Sequence, residues 1–154
     1  MSKQWIALLA GALVIALVVG CGDSSEGETN AKSLAKPVYV KKVTAICEKT
    51  NKQVKVGFEE FTADQGSAAF EDLDSMEEYL DTFMIPAKQQ EIEELQALGA
   101  PVGDEEETEA IIEGFEEGIE AAEDDPERAV QSTFGVFARA NDLANDYGAD
   151  NCYG

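Results

Sequence analysis

The chain has 154 residues, of which 32 are acidic and 11 basic, which gives a formal net charge of −21, and it contains no histidine. This acidity makes nucleic acid an unsuitable partner, because its phosphates are contacted mainly by Lys and Arg. The absence of histidine removes the commonest general base, the Ser-His-Asp triad and most transition-metal sites. We therefore expect no catalytic residue, no metal ligand and no cofactor.

The N-terminal segment, residues 1–20, has the pattern of an export signal. Lys3 supplies a positive start, and residues 5–19 form an uninterrupted apolar run. This run is shorter than the roughly 20 residues that a membrane-spanning helix needs. Its length and flanks are instead typical of the apolar region of a signal peptide.

The border of this segment, Val18-Val19-Gly20-Cys21, resembles the lipobox of bacterial lipoproteins, in which a small residue precedes a cysteine. The resemblance implies that the Cys21 thiol takes a diacylglyceryl group and that a peptidase cuts after Gly20. Acyl chains would then hold the mature protein at the extracytoplasmic face of the cell membrane. The alternatives are a single-pass anchor or a secreted protein in which Cys21 is incidental.

The segment after the lipidation site is rich in Gly, Ser, Glu, Thr and Asn and has no apolar periodicity. This composition predicts a flexible linker over residues 21–36. Residues 37–154 are then long enough for one domain with a modest core.

Two cysteines remain after lipidation, Cys47 and Cys152. Export places both in a compartment where disulfides persist, so we predict one structural bridge between them. A metal site is the first alternative, but two cysteines without histidine make a poor zinc ligand set. A redox pair is the second, and such pairs are more often adjacent as C-x-x-C.

The apolar periodicity predicts an all-α domain, a small antiparallel bundle of about four helices closed by the disulfide. The first helix begins at Pro37 and fades over residues 62–66. The second begins at a capping box, residues 75–78, and continues with a kink through Pro86 to Gly99. The predicted buried faces contain Val43, Ile46, Cys47, Thr50, Val54, Phe58 and Phe61 in the first helix, and Met76, Leu80, Phe83, Met84, Ile92, Leu95 and Leu98 in the second.

The third predicted helix opens at Asp104, where acids favour the positive end of the helix dipole. The fourth opens with Asp125 as cap and Pro126 as first residue, and ends at Gly148. Their predicted buried faces contain Ile111, Ile112, Phe115, Ile119 and Ala122, and then Val130, Phe134, Phe137, Ala140, Ala144 and Tyr147.

Charge is distributed unevenly along the domain. Residues 32–55 contain seven lysines against Glu48 alone, and residues 71–127 contain 22 acids against Lys88 alone. This pattern favours a basic helix lying beside acidic ones. Two alternatives stay open: the lysines face the membrane, or the acidic surface is an adaptation to high salt.

Several groups of acidic residues have spacings that would suit a catalytic or metal-binding site. The simpler interpretation of each group is a solvated surface. A carboxylate pair for glycoside hydrolysis and an oxygen-lined calcium site are the two functional interpretations. Gly114 and Gly118 would permit one close helix crossing or only lower helix propensity. The acidic groups are Glu113, Glu116, Glu117 and Glu120; Asp72, Asp74, Glu77 and Glu78; and Asp142, Asp146 and Asp150 with Asn151.

Three stretches, AICEKTN, IPAKQQEIEELQALGAPVGDEE and ANDLANDYGADNC, resemble a group of small actinobacterial helical lipoproteins. The resemblance covers nearly the whole mature domain. It implies a helical, disulfide-closed, membrane-anchored domain and carries over no catalytic residue. The function expected is a non-enzymatic cell-envelope module that binds a protein or cell-wall partner or acts as a spacer. A carboxylate-based enzyme and a cation- or small-ligand-binding protein are the alternatives.

Overall fold

A computed structural model describes residues 33–66, 69–150 and 152, except for the side chains of residues 133 and 134. These residues are helical or irregular and include no strand, which confirms the all-α prediction. No helix among them is long and apolar enough to cross a membrane. The predicted signal peptide, the lipidation site Cys21 and most of the predicted linker lie outside the described residues.

The first helix, α1, spans Lys36–Gln65, as the sequence predicts. Pro37 lies in its first turn, where the missing N–H costs nothing. Gly66 follows the helix with a φ of 67°, a conformation that glycine adopts without steric cost. The buried face is Tyr39, Val43, Cys47, Thr50, Gly57 and Phe61.

The second predicted helix is one helical run in three parts: α2 at Leu73–Tyr79, a π turn at Leu80–Met84 and α3 at Ile85–Leu98. The predicted start at Ser75 is wrong, because Asp72 is the N-cap. Its carboxylate accepts hydrogen bonds from the Ser75 backbone N–H, at 2.9 Å, and from the Ser75 hydroxyl, at 3.1 Å. An Asp is as good a cap as a Ser and lies earlier in the chain.

The π turn ends two residues before Pro86. Its wider loop is closed by the Ile85 N–H, which donates to the Leu80 carbonyl. Pro86 has no N–H to donate, so the helix would lose a regular bond at this point in any case. The run therefore continues through the proline, as predicted, and the distortion takes the form of a π turn.

Helix α4 spans Glu105–Asp124 and begins after Asp104, as predicted. The Asp104 side chain makes no capping bond. Instead it accepts a hydrogen bond from the Tyr147 hydroxyl at 2.7 Å and pairs with Lys36 at 3.4 Å. The Tyr147 bond and then the Lys36 charge lower the pKa of Asp104. One carboxylate thus links the beginning of α1 to the C-terminal end of the bundle.

The prediction of a single fourth helix is wrong, because this part of the chain forms three short helices: α5 at Pro126–Gln131, α6 at Thr133–Val136 and α7 at Ala138–Tyr147. The predicted cap is confirmed: the Asp125 carboxylate accepts from the Arg128 N–H at 3.1 Å. The breaks fall at Ser132 and Phe137, which have non-helical backbone angles. Gly148, with a φ of 106°, ends α7 as expected.

Helix α7 and Phe137, the residue before it, pack closely on α4 at the two glycines of the G-x-x-x-G pattern. A Cβ atom at Gly114 would lie 3.0 Å from the Ala140 Cα, and one at Gly118 would lie 2.3 Å from the Phe137 ring. The absent side chains therefore make room for α7. The structure favours the close-crossing interpretation of this pair.

The Cys47–Cys152 bridge joins the middle of α1 to the C-terminal tail. The two Cα atoms are 4.7 Å apart, within the range for a disulfide. Both cysteines are buried. The predicted antiparallel bundle closed by one disulfide is confirmed.

The predicted pairing of basic α1 with acidic helices holds for two of its lysines. Lys49 forms an ion pair with Glu94 of α3, and Lys36 pairs with Asp104. Two other lysines of α1, Lys52 and Lys55, line a cavity.

Candidate functional site

A cavity of about 440 Å³ opens between α1, Tyr79 at the end of α2, α3, the beginning of α7 and the C-terminal tail. We call it the α1–α7 cavity. Its volume lies within the range of pockets that hold small molecules. The residues that line it are Asn51, Lys52, Val54, Lys55, Phe58, Tyr79, Lys88, Phe137, Asn141 and Cys152.

The apolar wall of the cavity is part of an aromatic cluster. Phe58 stacks on Phe70 at 5.4 Å between ring centroids and meets the Tyr79 ring edge-on at 6.0 Å. The prediction that Phe58 is buried in the core is wrong, because 45% of its surface is exposed. Phe58 therefore keeps a large apolar face available at the cavity.

Tyr79 is buried between α1 and the π turn, close to Phe61 and Phe83. Burial raises the pKa of Tyr79 to about 12. The phenol is therefore neutral at physiological pH, where it can take part in hydrogen bonds but not act as a base. Gly57 makes this packing possible, since a Cβ there would lie 2.6 Å from the Phe83 ring.

Two exposed lysines, Lys52 and Lys55, lie on the α1 side of the cavity. Their spacing of three residues places them on neighbouring turns of the same face. Lys55 has Glu59 at 4.0 Å, an exposed pair of the kind that contributes at most about 1 kcal/mol. The cavity therefore has a positively charged side in a strongly acidic protein.

A third lysine, Lys88 of α3, is buried and 5% exposed. Its Nζ donates to Glu91 Oε2 at 2.7 Å and lies 4.9 Å and 5.0 Å from the centroids of the Phe115 and Phe137 rings. Glu91 is fully buried. Burial raises the pKa of Glu91, and the Lys88 charge opposes that shift. The pair places an ammonium group at the inner part of the cavity.

Asn141 of α7 is the other buried polar residue of the lining and is 2% exposed. Within the described part of the chain its Oδ1 atom has no hydrogen-bond partner. A buried acceptor without a partner costs about 1–3 kcal/mol. The cavity therefore offers an unused polar group beside its apolar wall.

The described residues of this lining supply groups that can bind a ligand. Among its described residues there is no carboxylate, serine or threonine, and Cys152 is in the disulfide. The lining combines aromatic rings, ammonium groups and amides. Such a set can hold a ligand by apolar contact and charge, but it contains no base and nucleophile pair of the usual kinds.

The acidic clusters proposed from the sequence do not meet in this cavity. Those of α4 are exposed, and two of them have partners: Glu117 pairs with Arg139, and Glu116 accepts from Gln96 at 3.4 Å. Asp72 caps α2, and its neighbours Asp74, Glu77 and Glu78 are exposed. Asp142, Asp146 and Asp150 are also exposed, and Asn151 lies outside the described residues.

A second depression, about 480 Å³ in volume, contains four glutamates of α4. Its lining also includes Tyr39, Leu95 and Thr108, but no basic residue among those described. No group of three or more potential metal ligands occurs in the described part of the chain.

Four lining residues of the cavity were missed by sequence reasoning: Asn51, Tyr79, Lys88 and Asn141. The signal for Lys88 was its position, since it follows Met84 by four residues on the buried stripe. Nothing in the local sequence distinguishes Asn141 from the exposed Asn145 one turn later.

Comparison of the chain with protein-family models, with curated proteins and with solved structures gave no match. The site is therefore interpreted from its own geometry.

Proposed function

We propose that this chain is the precursor of a cell-envelope lipoprotein whose mature domain is a non-enzymatic binding module. The lipobox-like sequence supports the anchor: lipid on Cys21 would hold the domain at the extracytoplasmic face of the membrane. The linker would let the domain move above the headgroups. In this location the module meets solutes, wall components and other envelope proteins.

The α1–α7 cavity is the observation that carries the binding function. It combines an apolar aromatic wall with a few polar groups, which is the usual composition of a ligand site. Phe58 is half-exposed, and within the described residues the buried Asn141 oxygen has no hydrogen-bond partner, which is a costly feature in a domain whose only task is to be a spacer. A ligand in the cavity would cover the Phe58 ring, and a donor on the ligand could bond the Asn141 oxygen.

The binding test uses the chain from Gly22 onward, which contains the whole helical unit, and 1-decanol as an uncharged apolar probe. We expect saturable binding by calorimetry. Val54→Trp should block it, because Val54 lines the cavity, whereas Val56→Trp on the exposed face of the same helix should not. Both variants are first checked for an unchanged helical spectrum. Equal binding of 1-decanol by the two variants contradicts the proposal. A failure of the parent chain and of both variants to bind any probe contradicts it as well.

The anchor is tested separately in cells. Cys21→Ser should leave an unprocessed or shed protein that no longer partitions into detergent, because the acylated thiol is absent. The intact mass of the wild-type membrane fraction should show the lipid increment. A mature wild-type protein without that increment would rule out the lipoprotein assignment and leave the cavity result unaffected.

A further inference from the structure

The charge of the cavity lining is opposite to that of the protein. Three of the ten described lining residues are lysines and none of these ten is acidic, although acids outnumber bases by 32 to 11 in the chain. Lys52 and Lys55 are on one wall, contributed by α1, and Lys88 comes from α3. If the lining had the same composition as the whole chain, it would contain more carboxylates than ammonium groups.

Two of the polar lining groups are deeply buried, which distinguishes the cavity from a surface groove. Lys88 and Asn141 are 5% and 2% exposed. An ammonium group has three donors, and the carboxylate of Glu91 takes one of them. Asn141 contributes an acceptor that has no partner in the described part of the chain. The interior of the cavity therefore has polar groups, but an ionised carboxylate has no donor for the Asn141 oxygen, so the charge of the ligand is argued from the lysines alone.

Most of the remaining lining is apolar. Val54, Phe58, Tyr79 and Phe137 contribute aliphatic and aromatic surface, and the disulfide sulphur of Cys152 adjoins them. A ligand that consists only of charged groups would leave this surface in contact with water. The apolar wall and the lysines are therefore suited to two different parts of one ligand, an apolar part and a charged part.

We infer that the α1–α7 cavity binds a small amphipathic anion, a molecule with an apolar body and a single carboxylate. The apolar body lies against Phe58 and Tyr79, and the carboxylate lies between Lys52 and Lys55. This inference rests on the proposed binding function and assigns it a ligand class.

The overall charge of −21 argues for one negative charge on the ligand and against a polyanion. The field of the whole protein repels highly charged anions as they approach. For a single charge the repulsion is small, because salt screens charges beyond about 8 Å at physiological ionic strength. Within that distance Lys52 and Lys55 are the exposed ammonium groups of the described lining.

The test compares three ligands with the same ten-carbon chain: decanoate, 1-decanol and decyltrimethylammonium, all below their micelle-forming concentrations. The protein is again the chain from Gly22 onward. We expect decanoate to bind about tenfold more tightly than 1-decanol, the effect of two partly exposed ion pairs. Backbone NMR shifts on adding decanoate should centre on residues 51–58 of α1 and on Phe137 and Asn141.

A matched pair of double variants assigns the effect to the cavity. Lys52→Gln with Lys55→Gln should remove the preference for decanoate, so that this variant binds decanoate and 1-decanol with equal affinity. Lys41→Gln with Lys42→Gln makes the same change of charge in the same helix, outside this cavity. It should leave both affinities unchanged.

The outcomes separate this inference from the function on which it rests. Equal or tighter binding of 1-decanol or of the cationic ligand overturns the anionic assignment while the cavity remains a binding site. An equal loss of decanoate affinity in both double variants also overturns it, because the effect would then come from net charge. Absence of binding by all three ligands overturns the inference and the proposed function together.

Discussion

Lys88 and Glu91 form an ion pair inside the bundle, where both charges have left water. Such a pair adds little net stability, because the cost of desolvating two ions nearly cancels their attraction. Losing one partner is much more costly, since the other charge is then buried alone. This asymmetry gives one prediction for the loss of Lys88 alone and another for the loss of both partners.

Lys88→Met should reduce the free energy of unfolding by about 3–5 kcal/mol at neutral pH. The double variant Lys88→Met with Glu91→Leu should recover most of that loss, since no charge is then left without a partner. Urea unfolding at a fixed salt concentration measures both. Lys49→Met is the control, because it breaks the exposed Lys49–Glu94 pair and should cost at most about 1 kcal/mol.

The pH dependence of the single variant follows from the raised pKa of Glu91. Burial is the main cause of the raised pKa, and removing the Lys88 charge removes the effect that opposes it. The unfolded pKa is about 4.3, so between that value and the folded pKa the folded chain binds more protons and its stability falls as pH rises. The loss caused by Lys88→Met should therefore shrink as pH falls toward 4.3. A loss independent of pH, or no larger than that of Lys49→Met, would contradict this account of the pair.

At the scale of helices, the sequence predicted those elements whose signals are local. Apolar periodicity, Pro37 and Gly66 define α1, and Asp125 with Pro126 defines the beginning of α5. The breaks at Ser132 and Phe137 were not predictable in this way, because the apolar stripe continues through them. They depend on how Phe137 fits between other helices, against Phe115 at 6.4 Å and above Gly118.

The candidate site was predictable only in part for the same reason. The period of α1 placed Val54 and Phe58 on one apolar face, and its composition singled out Lys52 and Lys55, but neither pattern assigned these residues to a binding site. Their meeting with Lys88 and Asn141 depends on the packing of α1, α3 and α7, which no local pattern specifies. A cavity is a property of several elements together.

The α4–α7 contact can be tested at Gly118. Alanine normally stabilises a helix by about 1 kcal/mol relative to glycine. Here the new Cβ would lie 2.3 Å from the Phe137 ring, so Gly118→Ala should instead destabilise the protein by about 1–3 kcal/mol. Thermal unfolding measures the change, with Glu120→Ala on the exposed face of α4 as the control.

A second substitution distinguishes this steric effect from other causes. Phe137→Leu shortens the side chain that faces Gly118, so the double variant should be less destabilised than the sum of the two single variants. Strict additivity would show that Phe137 is not the group that Gly118 accommodates.

For the whole molecule, the Cys47–Cys152 disulfide is a covalent constraint between residues that are 105 positions apart. In the chain-entropy model a loop of about 100 residues contributes roughly 4–5 kcal/mol. That is comparable with the total stability of a small domain, about 5–15 kcal/mol. The bond also ties the C-terminal tail, which would otherwise fray, to the middle of α1.

The disulfide also constrains the cavity. Cys152 is part of the lining, and Cys47 lies one helical turn before the lining residue Asn51. Reduction, or Cys47→Ala with Cys152→Ala, should lower the melting temperature strongly and weaken decanoate binding even below the new melting transition. The reductant should have no effect on the double variant, which serves as the control.

Titration of the mature wild-type protein with a thiol reagent, under denaturing and non-reducing conditions, should find no free thiol. Two free thiols per chain would contradict the bridge, and unchanged decanoate affinity in the folded double variant would show that the tail does not shape the site.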